Sequence, residues 1–534
     1  MKPFIDYFRN NPKYIYLLAG ILVLPALLIH LGLMPFINDE AIRATVALEM
    51  ILRHNYIVPY MGGVLYFNKP PLFNWILIFF FRLAGNFTEF TERMPTIIFL
   101  LIFLYTIFYV TKKHFGTFKG FVAALMFLTC GRILFYDSLL GLIDITFSWV
   151  VYLNFMLIYY FFSKEKYYLL FICSYALTAA AFLMKGLPAV AFQGITLLTL
   201  FIYHKNFKKL FSIPHFTGIF IFLIITGAYY FAYYKSNPGS ILVVFENLLN
   251  ESTKKTAVQM GFLKTIIHLF TFPVEITYHF FPWSLMIVLL FSKNVWKRIK
   301  SDPFILYCSL IFLANILIYW ISPDTYPRYL FMLIPLLFTV LFYLFDEHEK
   351  NNTLNYKILN VLLIITAVIL TLAQAAYPFV PSTRKVGYAI PASIILLIFS
   401  ASLLWLFFKT KKFRLAILAI LLLVVRIGFN WFILPVRQAE APEIICKENA
   451  VQVARQTKND RLYMSYEDID ESTLFYFTRE RMQALEWKKR QSDGYTLIHD
   501  PYKAYKNQYT HYFDVLIRKK HQTVSLVKYH PDCR

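Results

Sequence analysis

The sequence predicts a polytopic α-helical membrane protein: about thirteen transmembrane helices, interfacial helices in the first outer loop, and a small α/β domain at the C-terminus. Three observations predict it. The 534 residues are 58% hydrophobic, 19% aromatic and only 16% charged, with a mean hydropathy of +0.54, which is not a soluble globular composition. Apolar runs able to cross a hydrocarbon core of about 30 Å, which takes roughly 20 residues each, recur from Tyr14 to Leu434. From about Val436 the chain turns polar.

The net charge of +22 does not point to nucleic acid, because many of the basic residues fall in short clusters between apolar runs and no basic domain or aromatic-interleaved patch exists. Lys and Arg gather on cytoplasmic loops. Placing the clusters around Arg9, Lys113, Lys164, Lys208, Lys297 and Lys411 inside gives spans at 14–36, 95–112, 118–136, 145–162, 167–186, 188–204, 211–234, 282–292, 303–321, 328–345, 355–376, 389–408 and 414–434. The N-terminus is then cytoplasmic and the C-terminal domain lies on the outer side. The first apolar run is too long for a signal peptide and lacks a small-residue cleavage site before "FINDEA", so no cleaved leader is expected.

The run "PPLFNWILIFFFRLAG" (70–85) is expected to lie on the outer surface as an interfacial helix, with Arg82 and the following "TEFTER" solvated. Counting it as a span would put "TKKHFGTFK" outside, against the charge rule. Two outer segments are long, about 36–94 and about 235–281. Beyond residue 435, "RLYMSYEDIDESTLFYFTRERMQALEW", "GYTLIHD" and "FDVLIRKKHQTVSLV" alternate strand-like and helix-like patterns. The expected domains are therefore a transmembrane part, 1–435, and an outer α/β part, 436–534. Cys446 and Cys533 bracket the tail; a disulfide between them and a pair of buried thiols are the two readings.

With this topology Asp39, Glu40, Arg43, Lys69, Asp137, Asp144, Lys185 and Arg328 all emerge at the outer face, although they are scattered along the chain. Ionisable groups at membrane depth are costly and suggest a site. Lys69 stands before two prolines at headgroup level, where an ammonium suits a lipid phosphate or simply snorkels. Arg328 in "SPDTYPRYLFMLIP" can clamp a phosphate in bidentate fashion or anchor a helix. Asp137 and Asp144 are seven residues apart, on one face if helical, and Asp144 also suits the N-terminus of a span. Lys185 occupies the turn "LMKGLP", where Gly186 and Pro188 explain the turn but not the lysine.

Taken in order, "NDEAIRA", "NKPPLFNW", "GLIDITFSW", "LMKGLP", "FPW" and "PRYLFMLIP" resemble the membrane glycosyltransferases related to protein O-mannosyltransferases and to the lipid A aminoarabinose transferase. The resemblance covers roughly residues 14–434. It implies transfer of a sugar from a polyprenyl-phosphate donor to a glycolipid, glycan or protein acceptor on the periplasmic side, with inversion at the anomeric carbon. Carried onto matching positions, it implies Asp39 as catalytic carboxylate, Asp144 as a second acid, and Glu40 as the second acid of the first-loop motif. Lys69, Lys185 and Arg328 become donor-phosphate ligands, and Arg43 orients Asp39 or joins them. In the aminoarabinose branch a glutamate that can bind metal precedes the lysine of the "KPP" run. Asn68 stands there in this chain, so no metal or other cofactor is expected.

The residues make chemical sense on their own terms. A hydroxyl attacking an anomeric carbon needs a carboxylate base on one side and cations for the departing phosphate on the other. The alternative is a transporter or flippase of lipid-linked sugars, but such proteins place their sites near the midplane between repeated halves, and no internal repeat is visible.

Overall fold

The computed structural model describes residues 11–37, 39–253, 261–464, 471–487, 492–499, 509–517 and 522–530. It divides into two compact units. One holds Met1–His30, Thr96–Ala228 and Leu248–Ile433; the other holds Leu31–Pro95, Tyr229–Asn247 and Leu434–Arg534.

Among the described residues, eight helices are long and apolar enough to cross a membrane, or nine if Thr117–Leu128 and Gly131–Leu139, bent by 53°, form one span. They answer to nine of the expected spans. The other four come out shorter. Lys13–Leu28 and Pro188–Tyr203 have 16 residues each, reaching about 24 Å at 1.5 Å per residue. The 282–292 run is a 3-10 helix, Trp283–Leu290. The 328–345 run splits into a 3-10 turn, Pro327–Leu330, and the 17-residue helix Ile334–Lys350. The count of thirteen is thus not established, for a plain physical reason: hydropathy runs on through residues where the backbone stops being helical. His30, at φ 58°, lies beyond the end of the first helix while the apolar run continues.

Local chemistry explains where the helices start and approach. Asp302 caps Pro303–Trp320 by accepting from the amides of Phe304 and Ile305 at 2.8 and 3.1 Å. Proline occupies the first helical position there and in Pro188–Tyr203, where its missing N–H costs nothing. Gly120 lets Thr117–Leu128 pack against the preceding helix, since a Cβ there would meet the Lys112 amide at 2.8 Å.

In the second unit, Asp39–Leu52 buries most of its length. It packs on a two-stranded hairpin, Tyr60–Met61 with Val64–Leu65, and on Leu72–Ala84. That 13-residue apolar helix lies between Pro71 and Gly85, the latter at φ 65°, and is too short to span. Farther along, Pro442–Gln456 and Glu471–Arg481 pack together. A five-stranded mixed sheet accompanies them in the order 486–487, 461–464, 494–499, 522–529, 509–517. The first three strands are parallel, and the last two pair antiparallel. Cys446 is buried in the first of these helices; Cys533 lies outside the described residues.

Candidate active site

Chemistry-bearing side chains gather in each unit separately. In the first, Asp144 lies in the opening turn of Ile143–Phe162, where the helix dipole favours an anion. The N-cap position belongs to Leu142, without side-chain capping, and the Asp144 carboxylate instead meets two cations. Lys185 Nζ donates to its Oδ1 at 2.5 Å, and Arg328 Nε lies 3.3 Å from its Oδ2. Lys185 closes Tyr167–Lys185, at the dipole end that favours a cation. Gly186, at φ 78°, turns the chain immediately afterwards.

Aromatic rings orient both cations. Lys185 Nζ sits 4.1 Å from the Tyr329 ring centroid and 5.2 Å from that of Phe147; the Arg328 guanidinium lies 4.5 Å from Tyr326. Asp137 shares their electrostatic field and accepts from Arg132 Nε at 2.5 Å. Two cations thus meet the Asp144 carboxylate, and groups of this kind can bind a phosphate ester.

In the second unit, Asp39 is exposed at the first position of its helix, while Glu40 is completely buried. Arg93 Nε and Nη2 donate to the two Glu40 oxygens at 2.6 and 3.0 Å. The Arg93 Nη1 donates to the carbonyls of Leu31 and Met34 at 2.7 and 2.9 Å. One guanidinium thus fastens the loop before Asp39 to the acid after it. This corrects the expectation that "TEFTER" is solvated: Glu89, Thr91, Glu92 and Arg93 are all buried, and the partners of Glu89 and Arg93 come from distant parts of the chain. Sequence reasoning missed Arg93, and the only available signal was a second acid–arginine cluster bordering an apolar run.

Arg43, one turn after Asp39 and buried, donates to Tyr66 Oη at 2.7 Å. Farther along the same helix, Glu49 accepts from the amides of Gly62 at 2.5 Å and Gly63 at 3.3 Å. The helix that starts at Asp39 therefore shapes the hairpin leading to half-buried Lys69. At Gly63, φ 79° and a would-be Cβ 2.5 Å from the Leu485 carbonyl both require glycine.

Burial holds the Glu49 carboxyl above the usual range, against the Arg53 charge and the two amides. Such a group stabilises the fold fully below the ordinary carboxylate pKa, and this contribution is lost as pH rises through its folded value. As pH rises above the ordinary carboxylate range, Glu49→Gln should therefore lose less thermal stability than the parent. Thermal unfolding in detergent measures this, and parallel pH curves for the two proteins would contradict it.

A family model described as dolichyl-phosphate-mannose-protein mannosyltransferase matches residues 68–230, the stretch that holds Lys69, Asp137, Asp144 and Lys185. No curated protein matches the chain by sequence. Among solved structures, ArnT from Cupriavidus metallidurans bound to undecaprenyl phosphate superposes with a TM-score of 0.71 at 15% identity, covering 97% of this chain and 98% of that one. The fold is the ArnT fold. The same enzyme in the apo state gives a TM-score of 0.69 at 16% identity, with 96% and 98% covered. The likeness to ArnT thus extends in fold over nearly the whole chain, while the mannosyltransferase model matches residues 68–230.

Proposed function

We propose that this protein is an inverting, polyprenyl-phosphate-sugar-dependent glycosyltransferase of a bacterial inner membrane, acting on the periplasmic side. The observation that supports it most is the Asp144–Lys185–Arg328 cluster, two cations gathered at one helix start, on an ArnT fold. In the proposed reaction an acceptor hydroxyl attacks the anomeric carbon of the donor sugar. A new glycosidic C–O bond forms as the bond from that carbon to the phosphate oxygen breaks, and the polyprenyl phosphate leaves with the bonding pair.

Asp39, exposed at a helix start, takes the hydroxyl proton. Lys69, Lys185 and Arg328 hold the phosphate and stabilise its charge. Asp144 keeps Lys185 and Arg328 oriented through its two ion pairs. Arg43 and Glu40 act by setting the geometry of the helix that carries Asp39. The scheme requires no metal. In this reading residues 1–435 carry the transfer chemistry and 436–534 form the outer part.

Purified protein in nanodiscs, given a polyprenyl-phosphate-linked sugar and envelope lipid or protein acceptors, should release polyprenyl phosphate and add one sugar mass to an acceptor. Mass spectrometry of envelope glycolipids and glycoproteins from a deletion strain should then show which sugar and acceptor are lost. A lipid-linked sugar that crosses a vesicle bilayer without any new glycosidic bond would support a flippase instead.

A further inference from the structure

Phe36 stands three residues before Asp39 and is held through its amide, carbonyl and ring by Glu471–Arg481. Its amide donates to Tyr476 Oη at 3.0 Å, and its carbonyl accepts from Ser472 Oγ at 2.8 Å. Ser472 and Tyr476 are four residues apart, hence neighbours on one helix face. The Phe36 ring is fully buried, stacked on Tyr476 at 6.1 Å and edge-on to Phe475 at 4.8 Å.

The Tyr476 hydroxyl is itself oriented. It donates to Glu89 Oε1 at 2.9 Å, so its lone pairs are left to accept the Phe36 amide. Glu89 is fixed in turn by Lys447 Nζ at 2.7 Å. Beyond Phe36, the Ile37 amide donates to Glu40 Oε2 at 3.3 Å and the Glu40 amide to the Ile37 carbonyl at 3.2 Å. A continuous set of bonds thus runs from Lys447 and Tyr476 to the turn that presents Asp39.

We propose that Tyr476 and Ser472 are positioning residues for the Asp39 carboxylate, so that the polar C-terminal part of the chain completes the catalytic geometry rather than serving only as an appended module. This rests on the reading of Asp39 as the base. Burial and the Glu89 charge push the Tyr476 hydroxyl up from its ordinary pKa, so it remains a neutral donor across the working range of pH.

Tyr476→Phe keeps the stacked ring but leaves the Phe36 amide buried without its acceptor, a loss large enough to let the turn relax. In the full-length protein in nanodiscs, the expected result is a fall in kcat of about tenfold per donor-binding site, with the donor Kd and acceptor KM unchanged. Ser472→Ala should give a smaller fall of the same kind, and the double variant more than either. Normalising to donor-binding sites separates misplacement from partial unfolding, which would lower the number of sites and leave kcat per site intact. Wild-type kcat per site in both single variants would overturn the proposal. Parent protein that binds the donor but transfers nothing would overturn the underlying reading instead.

Discussion

Asp39→Asn is expected to leave donor binding intact and to lower turnover by about 10² to 10⁴, the usual scale for loss of a general base. The substitution keeps the size and the exposed position at the helix start and removes only the proton acceptor. The proposed phosphate ligands are untouched, so the donor should bind as before. Lys185→Ala should behave differently, weakening donor binding and transfer together, because its ammonium would hold the phosphate in both ground and transition states. Donor binding and single-turnover transfer on the purified variants measure both. An Asp39→Asn protein that turns over at the parental rate would remove Asp39 from the mechanism and leave Asp144 as the remaining base.

Arg93→Ala is expected to destabilise the fold by about 3–5 kcal/mol, the range for breaking a buried ion pair by removing one partner. Glu40 would be left completely buried without its guanidinium, and the Leu31 and Met34 carbonyls would lose their donor. Glu92, also buried, lies in the field of the same guanidinium and would lose its adjacent cation too. Arg93→Lys should recover only part of the loss, because a point charge cannot bridge carboxylate and carbonyls as a planar fork does. Chemical unfolding in detergent reads the difference, and an Arg93→Ala protein as stable as the parent would show that the clamp carries no weight.

How much of this was legible depends on where each residue finds its partner. Asp144, Lys185 and Arg328 stand out in the sequence because charges are scarce in apolar runs, and an apolar chain gathers its charges; the structure does bring these three together. Helix existence was legible for the long spans, since some twenty apolar residues between basic clusters leave few alternatives. Glu89 and Arg93 were not, because acids and arginines in a loop look solvated until the partners are known. For Glu89 one partner lies 387 positions away, at Tyr476. Tyr476 itself sits in a tail whose pattern showed a helix, but nothing in that pattern names Phe36 as its partner.

The bond between Phe36 and Tyr476 closes over 440 positions of sequence, and this has a consequence for biosynthesis. At about 5–20 residues per second, the amide of Phe36 waits roughly 20–90 s for its acceptor to be made. Throughout that time the segment before Asp39 lacks the face that holds it. On the role proposed for Tyr476, a nascent chain lacks this support for Asp39 until Glu471–Arg481 has been made and has docked. Chains cut short before Glu471–Arg481 lack both the Tyr476 acceptor and the Ser472 donor for Phe36.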